Sequence, residues 1–353
     1  MTYLNARSLS FAVPGDIDLP TGGYAYDRRV ISLLPDYGVQ PTLIRLPGTF
    51  PAPSAADLEE TRRLLAAAPR GAPLLVDGLA LGAMPRELIS SLPHRLLALV
   101  HHPLCLDAGL TPERAAELKA TETAALALVR HIIVTSFATK RTLVADFGVP
   151  LAKITVAEPG TDPAVRASGT GTPLQLLAVG AVSPRKGYDI LIAALKPLTA
   201  LDWRLTIAGA TDRSPSTVAN LEHAIAAAGL QDRVRLSGTV VPATLSKFYD
   251  TADLFVMPSL FEGYGMVLAE AMARGLPIIC TTGGAASETV PDAAALKVAP
   301  GNSTALTAAI EKALGDKKLR ARLADASWEM GRTLPPWTET TRRIAAVVMG
   351  LTP

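Results

Sequence analysis

The sequence has few of the features that stabilise small secreted proteins or anchor membrane proteins. Its 353 residues include only two cysteines, Cys105 and Cys280, which lie far apart in apolar surroundings. Such a pair argues against a disulfide framework or a thiolate metal site and favours a reducing compartment. No apolar run approaches the roughly 18 to 20 residues that cross a bilayer, and the first residues lack the basic and apolar regions of a signal peptide. We therefore expect a cytoplasmic protein.

An excess of charge of one sign is also missing. Lysine and arginine number 34 and aspartate and glutamate number 32, a net charge of +2. The basic residues are scattered without interleaved aromatic residues, which argues against nucleic acid as a partner. The slight basicity and the 49% of hydrophobic residues leave association with the inner face of a membrane open.

Signatures of a bound cofactor or metal are lacking as well. The first glycine-rich loop, Gly15 to Gly23, does not contain the pattern Gly-x-Gly-x-x-Gly and gives no support to a nicotinamide cofactor. His101, His102 and Asp107 share a loop, but no second group of ligands completes a metal site. We expect neither a cofactor nor a metal.

Apolar runs alternate with helical segments along both halves of the chain. The length suits two α/β domains, and the alternation predicts parallel, doubly wound, Rossmann-like sheets. The break falls around 165–172, and the glycine- and threonine-containing segment 168–173 has the composition of a linker. The predicted strands are 9–13, 41–46, 73–76, 95–101, 131–135 and 153–157, then 174–180, 203–208, 234–237, 253–257 and 277–280. The predicted helices include 26–34, 188–195, 266–274 and 337–349.

The most informative motif contains two glutamates around a turn. Glu262 and Glu270 flank Gly263 and Gly265, and good helix formers follow in 266–274. Glycines let the backbone approach a ligand, and the free N–H groups at a helix start attract phosphate. Glu262 can accept hydrogen bonds from sugar hydroxyls. Glu270, about 6 Å along the helix from its start, can accept two from a ribose diol.

This segment resembles the signature of retaining glycosyltransferases of family 4, the glycosyl transferases group 1, which have the two-domain GT-B fold. The resemblance is strongest from about Ala178 to Glu288. It implies two Rossmann-like domains facing a central cleft, with acceptor binding in 1–168 and nucleotide-sugar binding in 173–333. It also implies that the C-terminal helix in 334–353 crosses back to the N-terminal domain. In the family, the first glutamate lies by the donor sugar and the second holds the ribose.

A second loop matches the same family. Gly180, Arg185 and Lys186 follow the predicted strand 174–180 and precede the helix 188–195. By the resemblance, Arg185 and Lys186 hold the donor diphosphate, where fixed cations stabilise the charge that develops on the leaving group. An Arg-Lys pair taken alone is more typical of a solvated turn.

Three further segments match the family less specifically. Gly22 and Gly23 resemble the glycine-rich loop near the diphosphate or acceptor. His101 matches a histidine that contacts the donor sugar in the family, and His102 is the alternative match. A histidine at the end of a strand can also have a purely structural role, by capping the loop that follows. The apolar side chains of Val240 and Val241 suit stacking on a nucleobase. The residues implied in donor binding are Gly22, Gly23, Gly180, Arg185, Lys186, Val240, Val241, Glu262, Gly263, Tyr264, Gly265, Met266, Val267 and Glu270, and those implied in catalysis are His101, Arg185, Lys186 and Glu262.

The resemblance implies retaining, metal-independent transfer of a hexose from a UDP- or GDP-sugar to an acceptor hydroxyl. No pair of carboxylates forms a recognisable nucleophile and acid, so double displacement gains no support. The sequence does not identify the acceptor, which is a glycan, a lipid or a small molecule. Synthesis of a lipid, a lipopolysaccharide or a cell-surface glycan fits each of the first two. Two alternatives remain: another GT-B enzyme, such as a sugar-nucleotide epimerase or a phosphorylase, and a non-catalytic sugar-nucleotide-binding protein.

Overall fold

The computed structural model describes residues 6–350. The chain forms two compact units: the first extends to Gly160 and resumes at Pro335, and the second runs from Thr161 to Leu334. The sequence predicts domain boundaries at 168, 173 and 334 instead. The expectation of no signal peptide rests partly on residues 1–5, and the predicted C-terminal segment includes 351–353; these lie outside the described residues.

Each unit contains a sheet of six parallel strands. The first sheet contains β1 (Arg7–Pro14), β2 (Val39–Leu46), β3 (Leu74–Asp77), β4 (Leu96–Val100), β5 (His131–Val134) and β6 (Ile154–Val156). The second contains β7 (Leu174–Val179), β8 (Trp203–Ala208), β9 (Val234–Leu236), β10 (Leu254–Met257), β11 (Ile278–Thr281) and β12 (Ala295–Val298). Strand β12 was not predicted, because it is a short edge strand with three half-buried residues and no long apolar run.

Helices connect the strands. Those of the first unit are α1 (Gly22–Leu33), α2 (Ala55–Ala66), α3 (Gly78–Leu81), α4 (Arg86–Ser91), α5 (Pro112–Leu128), α6 (Phe137–Phe147) and α14 (Trp337–Gly350). Those of the second are α7 (Tyr188–Leu195), α8 (Pro215–Ala227), α9 (Pro242–Thr251), α10 (Met266–Ala273), α11 (Ala286–Thr289), α12 (Ser303–Gly315) and α13 (Lys317–Gly331). Short 3₁₀ helices occupy 34–37, 104–106, 151–153, 184–186 and 196–198. Across residues 6–350, no helix is both long and apolar enough to cross a membrane.

The predicted start of the first helix was wrong. Helix α1 begins at Gly22 rather than at residue 26, because the Thr21 side chain accepts a hydrogen bond from the backbone N–H of Tyr24 and caps the first turn. Gly22 and Gly23 are therefore helical residues, and the loop after β1 ends at Thr21.

The strand order fixes where ligands can bind in each sheet. The orders are β2-β1-β3-β4-β5-β6 and β12-β11-β10-β7-β8-β9. The order reverses beside β1 in the first sheet and between β7 and β10 in the second. Doubly wound sheets bind ligands outside the carboxyl ends of strands at such a switch point. The loops after β7 and β10 are therefore the first place to look for a site in the second unit.

Helices α10 and α13 cross closely in the second unit. A Cβ atom at Gly331 would overlap the carbonyl oxygen of Met272 in α10. Helix α10 also carries Glu270, so this contact sets the position of a predicted ligand-binding residue. The absence of a side chain at residue 331 is a packing requirement of the second unit.

We predict that Gly331→Ala lowers the free energy of unfolding by about 1 to 3 kcal/mol, because the added methyl group forces the helices apart. Gly315→Ala is the matched control, since a Cβ there meets no atom within 4 Å and reduces chain entropy in the unfolded state. Urea unfolding of both variants is the measurement. Equal unfolding midpoints for the two variants would contradict the prediction.

Candidate functional site

Glu262 lies in the loop between β10 and α10. Its backbone N–H donates to the oxygen of Gly283 (3.2 Å), and its carbonyl oxygen accepts from the N–H of Ala285 (2.8 Å). Gly284 has φ +63°, and a Cβ there would overlap the Glu262 carbonyl oxygen, so only glycine fits this position. Gly265, at φ +91°, is the N-cap residue that precedes helix α10. The backbone hydrogen bonds of Glu262 therefore hold the middle of this loop against residues 283–285.

Arg185 and Lys186 lie in the loop after β7. The Arg185 carbonyl oxygen accepts from the N–H of Leu260 (2.8 Å), and the Arg185 guanidinium donates to the oxygen of Phe261 (2.8 Å). A Cβ at Gly180 would lie 2.7 Å from Cε of Lys186, so glycine leaves room for the lysine side chain. These contacts join the loops after β7 and β10 at the switch point of the second sheet.

The two loops form a group of three charges. The carboxylate of Glu262 lies 2.7 Å from Nζ of Lys186 and 3.3 Å from Nη1 of Arg185, and the glutamate and lysine side chains are only 8% and 11% exposed. Burial alone would raise the pKa of Glu262, but the two cations outweigh it and lower the pKa to about 2. Burial lowers the pKa of Lys186, opposed by the glutamate charge. The sequence predicted these residues separately and missed their pairing.

Glu270 lies on helix α10 and is half-buried. The Tyr249 hydroxyl of α9 donates to its Oε2 (2.8 Å), and the Arg274 guanidinium lies 4.5 Å from the Tyr249 ring centroid. Burial raises the pKa of Glu270, opposed by the Tyr249 hydrogen bond and the Arg274 charge. Tyr249 was missed, because nothing in the spacing of 249 and 270 links α9 to α10.

The other predicted residues of the second unit surround these groups. Tyr264 is buried, and its carbonyl oxygen accepts from the Thr289 hydroxyl (2.5 Å). Val241 is 64% exposed and immediately precedes α9. The predicted residues that are half-buried in this region are Val240, Gly263, Met266 and Val267.

His101 lies in the first unit, directly after β4. Its Nε2 atom is 3.3 Å from Oδ1 of Asp27 and 3.5 Å from Oδ2 of Asp77. Asp27 is fully buried on α1 and Asp77 ends β3. A Cβ at Gly23 would lie 3.3 Å from the imidazole. Neither aspartate was predicted; the signal available for Asp77 was its place at the carboxyl end of an apolar strand.

Two carboxylates share one imidazole in this group. Burial alone would lower the pKa of His101, but Asp27 and Asp77 outweigh it and raise the pKa to about 10. Burial raises the pKa of Asp27 to about 7. The ligand atoms of these three residues lie within 4.8 Å of one another, so they could hold a metal ion. A protonated His101 offsets part of the charge of the same two carboxylates. This group differs from the one considered in the sequence, which joined His101 to His102 and Asp107 of the same loop.

We predict that Asp27→Asn flattens the dependence of stability on pH. The pKa values of Asp27 and His101 are both raised, so the folded state binds more protons than the unfolded state and stability falls as pH rises, from about pH 4 to about pH 10. The variant loses one of these groups and lowers the pKa of the other. Thermal unfolding at pH 5, 7 and 9 measures the slope. Asp146→Asn, an exposed change on α6, is the control; a wild-type slope in Asp27→Asn would contradict the prediction.

We predict that Glu262→Gln destabilises the protein at pH 7 by about 3 to 5 kcal/mol, because two partly buried cations lose their partner. The lowered pKa of Glu262 gives stability that is present above the unfolded value of about 4.3 and is lost as pH falls towards 2. The difference between variant and wild type should therefore be smaller at pH 3 than at pH 7. Urea unfolding at both pH values is the measurement. Glu222→Gln, exposed on α8, is the control, and equal effects of the two variants would contradict the prediction.

Comparison with known proteins gives a family match for part of the chain. Residues 165–330 match the family described as Glycosyl transferases group 1. Mannosylfructose-phosphate synthase of Agrobacterium fabrum is 32% identical over 184 residues, 50% of this chain and 40% of that protein. The lipopolysaccharide core biosynthesis mannosyltransferase LpsB of Rhizobium meliloti is 32% identical over 201 residues, 54% of each chain. The chain spans about half the length of the curated relatives that it matches.

Solved structures resemble the chain over nearly its whole length. Sucrose-phosphate synthase from Thermosynechococcus elongatus has a TM-score of 0.82 and 21% identity, covering 98% of this chain and 99% of that one. HepE of Anabaena, solved with UDP and glucose, has a TM-score of 0.77 and 17% identity, covering 98% and 100%. At these identities the likeness establishes the fold alone. The predicted fold class, GT-B with two doubly wound parallel sheets, is confirmed.

Proposed function

We propose, since residues 165–330 match the family described as Glycosyl transferases group 1, that the protein transfers a hexose from a nucleoside diphosphate sugar to an acceptor hydroxyl. The observation that carries this proposal is the cation pair Arg185 and Lys186, held by Glu262 at the switch point of the second sheet. Ligands of doubly wound sheets bind at this point. One carboxylate faces two cations there, and the surplus positive charge suits a diphosphate.

The diphosphate also explains why the cations are poorly solvated. When the nucleoside diphosphate departs it carries new negative charge, which fixed cations stabilise most strongly where water is scarce. The side chains of Lys186 and Arg185 are 11% and 23% exposed. The N–H groups that begin α10 add to the same field. These groups offset part of the negative charge of a diphosphate without a metal ion, and we propose metal-independent catalysis without a cofactor.

The remaining parts of the donor have matching residues in the second unit. We propose that Glu262 also accepts hydrogen bonds from sugar hydroxyls and that Glu270 accepts them from the ribose. Val241, exposed before α9, and the half-buried Val240 offer apolar surface to a nucleobase. His101 remains a proposed catalytic residue of the first unit.

We propose that the anomeric configuration of the donor is retained. Inversion requires a base that deprotonates the acceptor, and a carboxylate with a pKa of about 2, such as Glu262, is a weak base. The departing phosphate can take the acceptor proton instead, while the protein orients the reactants and stabilises charge.

The proposal also covers the class of donor, the class of acceptor and the compartment. LpsB is named a mannosyltransferase and HepE was solved with UDP and glucose, which supports a UDP- or GDP-hexose. A glycan, a lipid or a small molecule would serve as the acceptor. The free thiols of Cys105 and Cys280 support a cytoplasmic location, where the inner face of a membrane would present a lipid acceptor.

The test is a time course with UDP-glucose and GDP-mannose, with water or added sugars as acceptors, in the presence of EDTA. We expect EDTA-resistant release of nucleoside diphosphate, and proton NMR should detect an α-configured sugar as the first product of either α-linked donor. A β-configured first product would contradict retention. Recovery of an EDTA-inactivated enzyme by manganese would contradict metal independence.

The same experiment separates the alternative functions. Conversion of the donor to an epimer, with no transfer to any acceptor, would identify an epimerase. Dependence on inorganic phosphate would identify a phosphorylase. Donor binding by calorimetry with no turnover for any acceptor would favour a non-catalytic sugar-nucleotide-binding protein.

A further inference from the structure

Tyr249 is a buried tyrosine whose hydroxyl contacts one of the predicted donor-binding residues. It lies on α9, is 1% exposed, and donates a 2.8 Å hydrogen bond to Oε2 of Glu270 on α10. Burial, with the neighbouring Glu270 charge, raises the pKa of Tyr249 well above its usual range. The phenol therefore keeps its proton and acts as the donor to the carboxylate.

The ring of Tyr249 is itself held from two elements. It stacks on Phe255 of β10, with ring centroids 5.9 Å apart and planes 16° apart. The Arg274 guanidinium lies 4.5 Å from its centroid and also donates to the backbone oxygen of Glu270 (3.2 Å). Stacking and cation–π contacts of this kind fix a ring in place. The hydroxyl of Tyr249 consequently has a defined direction, towards α10.

The hydrogen bond divides the roles of the two carboxylate oxygens of Glu270. A glutamate side chain has several rotatable bonds, and a free carboxylate presents two equivalent acceptors. Tyr249 engages Oε2, whereas Oε1 accepts no hydrogen bond from residues 6–350. Oε1 is therefore the oxygen with its full accepting capacity available to a ligand. A side chain held in this way loses less conformational entropy when the ligand binds.

We propose that Tyr249 is a positioning residue for ribose recognition: by holding Oε2 of Glu270 it directs Oε1 to the diol of the nucleotide. This inference rests on the proposed function, since it takes the ligand of Glu270 to be a nucleoside diphosphate. The competing view is that Tyr249 only staples α9 to α10 and contributes to stability alone.

The test compares nucleotides with and without the diol. Calorimetry gives the dissociation constants of UDP and GDP and of their 2′,3′-dideoxy counterparts, and the ratio defines a ribose preference. Tyr249→Phe removes the hydroxyl and keeps the ring contacts to Phe255 and Arg274. We expect it to weaken binding of the ribose nucleotide by about tenfold, because a charged group loses an organising hydrogen bond. Binding of the dideoxy nucleotide should be nearly unchanged.

Two further variants make the result specific. Tyr26→Phe is the matched control: it removes another buried tyrosine hydroxyl, bonded to the Ala157 oxygen at 2.8 Å in the first unit, and should leave the ribose preference intact. Glu270→Ala should abolish the preference, and adding Tyr249→Phe to it should change nothing more, because Tyr249 acts through Glu270.

The outcomes distinguish the inference from the function beneath it. If Tyr249→Phe melts at a lower temperature but keeps the wild-type ribose preference, the positioning role is overturned and Tyr249 is structural. Equal loss of ribose and dideoxy binding would also overturn it. If the wild type binds neither UDP nor GDP, or if Glu270→Ala keeps the preference, the failure lies in the proposed function.

Discussion

The candidate site in the second unit depends on one buried carboxylate. Glu262 pairs with Lys186 and Arg185 across the switch point of the sheet, and backbone contacts between the same loops bring the partners together. Without the carboxylate, the two cations would lie close together where little water reaches them, and like charges repel more strongly in such surroundings. Without the cations, a buried carboxylate would be costly. Each sign of charge is thus the condition for burying the other, and the loops after β7 and β10 are fixed in consequence.

Each unit contains a group of three ionisable side chains, and the sign of the charge that is in excess differs between the two groups. In the second unit, one carboxylate pairs with two cations. In the first unit, the carboxylates of Asp27 and Asp77 both pair with one imidazole. Both groups lie near the reversal of strand order, where neighbouring connections diverge and leave room at the carboxyl edge of a parallel sheet. The fold therefore offers two prepared positions of opposite character, and the side chains that fill them determine what each can bind.

The sequence predicted what is local and missed what is tertiary. Eleven of the twelve strands were predicted from the sequence, and β12, a half-buried edge strand, was not. Glu262, Glu270 and Lys186 were predicted as site residues because each stands in a motif of contiguous residues. Tyr249 and Asp27 were not, because their contacts join helices or strands distant in sequence, and no spacing encodes such a contact. The same limit explains why the pairing of Lys186 with Glu262 emerged only from the fold.

The segment 168–173 has the composition of a linker but not the bonding of one. The carboxylate of Asp253 accepts hydrogen bonds from the backbone N–H groups of Thr170 (3.3 Å), Gly171 (3.1 Å) and Gln175 (2.8 Å). A shortened polypeptide that began at residue 173 would remove two of these donors and leave that carboxylate, next to the first residue of β10, partly unsatisfied. One that began at Thr161 would keep all three. The choice of where to divide this chain for separate expression is therefore decided by a single aspartate rather than by the glycines around it.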